Sequence, residues 1–116
     1  MTAHSSETQQ KLFCLQEGKS PFSGLPLDRI NQRFEIHHVK ERVNGGGNSL
    51  INLQLLPIYE HLAIHFIKFR DKKLSEEERL REFDIVMGRL NQLTEEEKNI
   101  FYQLVEEKVG IRVRFY

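Results

Sequence analysis

The run Asn44-Gly45-Gly46-Gly47-Asn48 is the strongest interruption of regular structure in the chain. Consecutive glycines adopt positive φ values without steric cost, so such a run favours a turn over a helix or a strand. Residues 33–40, which precede it, are rich in aromatic and β-branched side chains, and residues 50–56 form a second short apolar run. We therefore predict two short antiparallel strands that the glycine turn connects.

A helix is predicted directly after the second strand, reaching about residue 72. Pro57 suits its first turn, where the missing N–H costs nothing. The residues expected on its buried side are Leu62, Phe66 and Phe69, with Ile58 nearby. A different face carries residues spaced i, i+4, i+7 and i+11, namely His61, His65, Lys68 and Lys72. This helix is therefore expected to bury one side and to present two imidazoles and two ammonium groups on another.

Three further helices are indicated by their boundary residues. Ser6-x-x-Gln9 and Gly18 bound a first helix over about 7–17, and a Gly-, Pro- and Ser-rich stretch over 18–31 is expected to be irregular. Ser75-x-x-Glu78 and Thr94-x-x-Glu97 are capping boxes that open two more helices, the second ending at Gly110. The apolar residues that these helices carry are Leu80, Phe83, Met87 and Leu90 in one and Ile100, Phe101, Leu104 and Val105 in the other. Residues 111–116 are predicted to be an edge strand or a mobile end.

The composition excludes several classes of protein. At 116 residues the chain is about one domain long. No apolar stretch approaches the roughly 20 residues that span a bilayer, and no secretory signal is visible, so no membrane association is expected. The single cysteine, Cys14, excludes an internal disulfide and a four-cysteine zinc site. These features favour the cytoplasm or another reducing intracellular compartment.

The charge is distributed unevenly although the formal net charge is zero. Basic residues outnumber acidic ones by eight to four over 29–73, whereas acidic residues outnumber basic ones by ten to five over 74–109. A basic region within a neutral chain is compatible with a polyanionic partner such as a nucleic acid.

Four of the five histidines lie in the basic region, as His37, His38, His61 and His65. Helical i, i+4 spacing brings the last two to within about 6 Å, close enough to share a metal ion. A zinc-protease motif is excluded because position 62 is Leu, where that motif needs Glu. Neighbouring strand residues point to opposite faces, so one of His37 and His38 would complete the ligand set while the other binds no metal. Three ligands leave an open coordination position and a free imidazole suits a general base; a closed four-histidine zinc site is the structural alternative.

The segment FEIHHVKERVNGGGNSLINLQLLPIYEHLAIH resembles the HNH nuclease motif in a ββα-metal (His-Me) finger, and most closely the variant of the colicin DNases. In that variant two consecutive histidines end the first strand, an asparagine sits in the returning segment, and a His-x-x-x-His pair lies on the helix. The match covers about residues 33–66. It implies an α+β fold for a single domain over 1–116, with a ββα-metal core over roughly 30–72, an N-terminal helix and a helical extension over 74–109.

The resemblance also implies a role for each candidate site residue. His37, His61 and His65 would bind one divalent metal ion (Zn, Ni, Mg or Mn), and His38 would act as the general base. Asn52 would orient that base, although other HNH branches use an asparagine as a ligand and this alternative stays open. Glu35 stands where related domains have a supporting acidic residue, and Arg33 is its candidate partner. The residues expected to contact phosphates are Lys40, Arg42, Lys68, Arg70, Lys72 and Lys73.

The implied activity is a metal-dependent endonuclease that hydrolyses phosphodiester bonds of double-stranded DNA and leaves 5′-phosphate and 3′-hydroxyl ends. The alternatives are an RNA-cleaving nuclease with the same site and a non-catalytic, metal-stabilised nucleic-acid-binding or adaptor module. Two departures from the family are evident: the paired cysteines that bind a structural zinc in many HNH proteins are missing, and the helices from residue 74 onward match nothing in the motif. Those helices are candidates for docking a protein partner or forming a dimer.

Overall fold

The boundaries of the helices and strands follow the breakers and caps of the sequence closely. The computed structural model describes residues 6–28, 32–40 and 45–110. Its elements are α1 (Ser6–Leu15), β1 (Phe34–His38), a 3₁₀ turn (Leu50–Asn52), β2 (Leu53–Pro57), α2 (Ile58–Asp71), α3 (Glu76–Leu90) and α4 (Glu95–Val109). This part of the chain is a small mixed α+β protein with four helices and one two-stranded antiparallel sheet. The α+β class is thus confirmed, while the ββα-metal core remains a prediction.

The chain divides into two compact units, a first unit over Met1–Ile58 and a second unit over Tyr59–Tyr116. The boundary falls after the first residue of α2. The sequence predicts instead a core over 30–72 and an extension over 74–109 within a single domain, and that single domain remains a prediction. No helix in the described ranges combines the length and apolar character that a bilayer crossing needs.

The β1–β2 hairpin of the first unit has a register that accommodates a proline in a strand. Phe34 faces Pro57 across the sheet, and the backbone hydrogen bond next to them joins the Ile58 N–H to the Arg33 carbonyl at 2.9 Å. Because bonded and non-bonded pairs alternate in an antiparallel ladder, Pro57 occupies a non-bonded position and its missing N–H costs no ladder bond. Pro57 therefore ends β2, whereas the sequence predicted it in the first turn of the helix.

Both strands are shorter than the predicted runs 33–40 and 50–56. After Val39, whose N–H donates to the Asn52 carbonyl at 2.9 Å, the Lys40 backbone pairs with a side chain and not with a second strand. Leu50–Asn52 turns as a 3₁₀ helix because the Asn52 N–H donates to the Ser49 carbonyl, three residues back, at 2.8 Å.

The core of the first unit lies between α1 and one face of the hairpin. It is built from Leu12, Leu27, Leu53 and Leu55, with Phe13, Phe34 and Ile36 packed against it. Gln16 binds the free edge of β2: its Oε1 accepts from the Leu55 N–H at 2.7 Å and its Nε2 donates to the Leu55 carbonyl at 3.0 Å. α1 ends at Leu15, before the predicted residue 17, because Glu17 and the predicted stop Gly18 both have positive φ, 55° and 69°.

The second unit is formed by α2, α3 and α4. Ser75 and Thr94 form complete capping boxes with Glu78 and Glu97, and Gly110 ends α4 with a φ of 71°, all as the sequence predicts. The predicted apolar stripe of α2 is buried, as are three of the four residues predicted in α4; Ile100 is only half-buried, and Tyr102 is buried in addition. Edge-to-face aromatic pairs join Phe66 to Phe69 and Phe101, with centroid distances of 6.0 and 6.2 Å.

The buried face of α3 includes only part of its apolar stripe. Leu90 is buried, but Leu80 is 60% exposed and Phe83 is 38% exposed, and the fully buried residue is Val86. The buried face of α3 lies about one residue away from that stripe, and two charged side chains on the same face contact α2. The Arg79 guanidinium lies 5.7 Å from the Phe69 ring centre, and the Glu82 carboxylate contacts His65 at 3.0 Å.

Candidate active site

The hairpin separates the two consecutive histidines. His38 faces Leu53 and His37 faces Gln54 in the β1–β2 register. His38 shares its side of the strand with Ile36, which packs against the core of the first unit, whereas His37 lies on the opposite face with Glu35. His37, His38 and Glu35 are all half-buried. The backbone thus keeps the two imidazoles on opposite faces of one strand end.

The His38 ring is held by a residue that the sequence reasoning missed. His38 Nε2 lies 2.9 Å from Asn48 Oδ1, at the end of the glycine turn. An amide oxygen only accepts, so Nε2 donates, and in the neutral imidazole the lone pair is on Nδ1. Asn48 is the last residue of the breaker run, and its place in a turn facing the strand end was the only signal available in the sequence.

The Asn52 side chain binds backbone groups, whereas the sequence predicted that it orients the His38 ring. Its Oδ1 accepts from the Lys40 N–H at 2.8 Å, and its Nδ2 donates to the Lys40 carbonyl at 3.1 Å and to the Gly47 carbonyl at 2.8 Å. A planar amide can pair with both backbone groups of one residue and still has a second N–H for another carbonyl. Asn52 therefore joins the Lys40 backbone to Gly47, the residue before Asn48.

The glycine turn lies beside Lys40 in the first unit. Gly45 has a φ of 89°, a backbone conformation that residues with a side chain rarely adopt. A Cβ placed there would lie 3.8 Å from Lys40 Nζ. Lys40 is exposed, as a phosphate-contacting residue must be. Arg42, the other phosphate contact predicted in this loop, lies outside the described residues.

The helix histidines lie on α2 in the second unit. His61 and His65 are half-buried, and His65 Nε2 contacts Glu82 Oε2 on α3 at 3.0 Å. Lys68 is half-buried, and the exposed cations that follow it are Arg70, Lys72 and Lys73. Arg70 Nη1 pairs with Asp71 Oδ1 at 3.2 Å, and the Lys72 carbonyl accepts from Arg79 at 3.2 Å, so both positions are tied to neighbours.

The donor chemistry of α2 fits a divalent metal ion. Two imidazoles at i, i+4 are within reach of one ion, and the Nδ1 nitrogen of His65 makes no hydrogen bond among the described residues. Imidazole donors suit Zn²⁺ and Ni²⁺ better than Mg²⁺, which prefers oxygen. The described residues contain no group of three or more His, Cys, Asp and Glu side chains that could hold a metal ion. The predicted set draws His37 from the first unit and His61 and His65 from the second, so its assembly remains a prediction.

Comparison of the chain with protein-family models, with curated proteins and with solved structures found no match. The resemblance to HNH nucleases therefore depends on the residues of one segment alone.

Proposed function

We propose that this chain is a metal-dependent endonuclease of the HNH type that hydrolyses DNA phosphodiester bonds with His38 as general base. The observation that supports it most is the placement of His38. The imidazole lies at the end of β1, half-buried, with Nε2 bound to Asn48 on a loop that Asn52 closes. A hydrogen bond from Nε2 to an amide oxygen favours one tautomer and one orientation of the ring, which suits a general base.

The chemistry of the base follows from that tautomer. The neutral His38 ring, with hydrogen on Nε2, is the base that takes a proton from water. The water oxygen attacks phosphorus, the bond to the 3′-oxygen breaks, and solvent protonates that leaving oxygen. A divalent ion bound by His37, His61 and His65 would supply the positive charge that stabilises the phosphate and the leaving oxygen in the transition state.

Binding of the DNA backbone is assigned to four cations, of which Lys68 is half-buried and the other three are exposed. Lys40 belongs to the hairpin loop, while Lys68, Arg70 and Lys72 follow the helix histidines on α2. Contacts of lysine and arginine with phosphate position a duplex without reading its sequence. Little sequence preference is therefore expected.

Cleavage of supercoiled plasmid tests the proposal. The wild type, His38→Ala and His4→Ala are incubated with Mg²⁺, Mn²⁺, Ni²⁺ and Zn²⁺ in turn; His4→Ala is the matched control because His4 is the one histidine outside the predicted site. We expect nicking by the wild type and the control, and a rate lower by about 100-fold or more for His38→Ala, since general bases contribute on this order. The nicks should be sealed by DNA ligase, which requires 5′-phosphate and 3′-hydroxyl ends.

Three other outcomes would contradict the proposal in different ways. Cleavage of RNA but not of DNA, with the same dependence on His38, would establish the RNA-cleaving alternative. Binding of DNA without cleavage under any metal would establish a non-catalytic module. Equal rates for the wild type and His38→Ala would remove His38 from the chemistry.

A further inference from the structure

The contact between α2 and α3 fixes which nitrogen of His65 carries hydrogen. His65 Nε2 lies 3.0 Å from Glu82 Oε2, and the two side chains are 43% and 35% exposed. A carboxylate oxygen only accepts hydrogen bonds, so Nε2 donates and the neutral ring has its lone pair on Nδ1. His65 makes no other hydrogen bond among the described residues. Glu82 therefore selects one tautomer and directs the lone pair to the opposite side of the ring.

Glu82 is itself held in place by its neighbours on the same face of α3. One turn before it, the Arg79 guanidinium lies 5.7 Å from the Phe69 ring centre and donates to the Lys72 carbonyl at 3.2 Å. One turn after it, Val86 is fully buried. The backbone that carries the Glu82 carboxylate is thus anchored on each side of it.

We propose that Glu82 is a positioning residue for His65: it holds the Nε2–H tautomer so that Nδ1 is presented to the divalent ion. The proposal rests on the assignment of His65 as a metal ligand in the function above. Histidines that bind a metal almost always donate their other ring N–H to a carboxylate, a carbonyl or water, and this second contact fixes ring orientation. Glu82 lies outside residues 33–66, so the proposal extends the site to a helix that the HNH motif does not include.

A purely structural role for the pair has different consequences. An ion pair between two partly exposed side chains contributes through charge, and its loss would lower the stability of the second unit without any effect on ligand geometry. The tautomer of His65 and the affinity for a metal therefore separate the two roles, while stability does not.

The test measures both quantities on the full chain. The ring nitrogens of ¹⁵N-labelled, metal-free protein are assigned by long-range ¹H–¹⁵N NMR, at a pH well above the range in which histidines titrate. Zn²⁺ affinity is measured in parallel by competition with a chelator. The variants are Glu82→Ala, Glu82→Gln, which retains an accepting oxygen, and Asp84→Ala, which removes the same charge from an exposed position of α3.

We expect the wild type and Asp84→Ala to have hydrogen on Nε2 of His65, and Glu82→Ala to show a mixture of tautomers. Zn²⁺ affinity should fall about 10- to 100-fold for Glu82→Ala, as for loss of other residues that orient a ligand, and less for Glu82→Gln. Circular dichroism confirms that each variant is folded. Hydrogen on Nδ1 of His65 in the wild type, or equal affinities for Glu82→Ala and Asp84→Ala, would overturn the proposal.

The failure of this proposal is distinguishable from failure of the nuclease assignment. Absence of plasmid cleavage would contradict the nuclease assignment, but it would not affect the results on the His65 tautomer and the Zn²⁺ affinity. Normal cleavage together with an unchanged Zn²⁺ affinity in Glu82→Ala would overturn the role of Glu82 alone. An unchanged Zn²⁺ affinity in His65→Ala would overturn it as well, because His65 would then not be a ligand.

Discussion

The two units of this chain hold their backbones by different means. In the first unit, side-chain amides take the place of missing strands: Gln16 pairs with both backbone groups of Leu55, and Asn52 pairs with both backbone groups of Lys40. In the second unit, helices with complete caps pack through aromatic rings. Irregular backbone has to find hydrogen-bond partners outside regular ladders, and a loop held by amides places further polar groups at fixed positions. The proposed base, His38, lies at the end of such a loop.

The largest expected change in the free energy of unfolding comes from removing aromatic packing in the second unit. Phe101 is fully buried between Phe66 and Tyr102, with ring centroids 6.2 and 5.5 Å away. Phe101→Ala should lower the free energy of unfolding by about 3–5 kcal/mol, because it removes a buried ring and leaves a cavity. Urea denaturation measures the change, with the exposed neighbour Gln103→Ala as control. Similar losses for both variants would show that aromatic packing does not distinguish the second unit.

A smaller loss of stability is expected when the hydrogen bonds of Asn52 in the first unit are removed. Asn52→Ala removes three hydrogen bonds to backbone groups at a partly solvated site, so unfolding should become easier by about 1–2 kcal/mol. Asn48→Ala removes only the contact with His38 and should leave stability within about 0.5 kcal/mol. Both variants should slow plasmid nicking. A larger loss of stability for Asn48→Ala than for Asn52→Ala would reverse the roles assigned to the two residues.

The smallest expected effect is a pH dependence at the start of α3. Hydrogen bonds from the Ser75 side chain and backbone lower the pKa of Glu78 below its ordinary value of 4.5. A lowered folded-state pKa stabilises the fold above pH 4.5, and this contribution disappears as the pH falls through the lowered pKa. Ser75→Ala should therefore reduce the melting temperature more at pH 7 than at pH 2.5. The same reduction at both pH values would show that the charge of Glu78 contributes nothing to the cap.

The helices of the second unit were predictable because their signals are local. Each capping box needs only a side chain and a backbone N–H three residues apart, so Ser75 and Thr94 could be assigned from the sequence. The buried face of α3 could not be assigned in this way. Arg79 and Glu82 lie on that face, and their partners Phe69 and His65 are on another helix. Hydrophobic periodicity along one helix does not reveal contacts of this kind.

The first unit shows the same limit at the candidate site. The glycine turn and the strands around it were predictable from residue type. The contact of Asn48, and not Asn52, with the His38 ring was not predictable, because both are asparagines near the same turn. The contact of Glu82 with His65 lay beyond sequence reasoning for a similar reason: the two residues are 17 positions apart.

The central claim is that the four clustered histidines have two different roles, and Zn²⁺ affinity of single variants tests it most directly. Competition with a chelator should show that His61→Ala binds Zn²⁺ weakly, because it has lost a ligand, whereas His38→Ala binds it as tightly as the wild type. Loss of Zn²⁺ binding in His38→Ala, with binding retained in His61→Ala, would contradict the division into three ligands and one base.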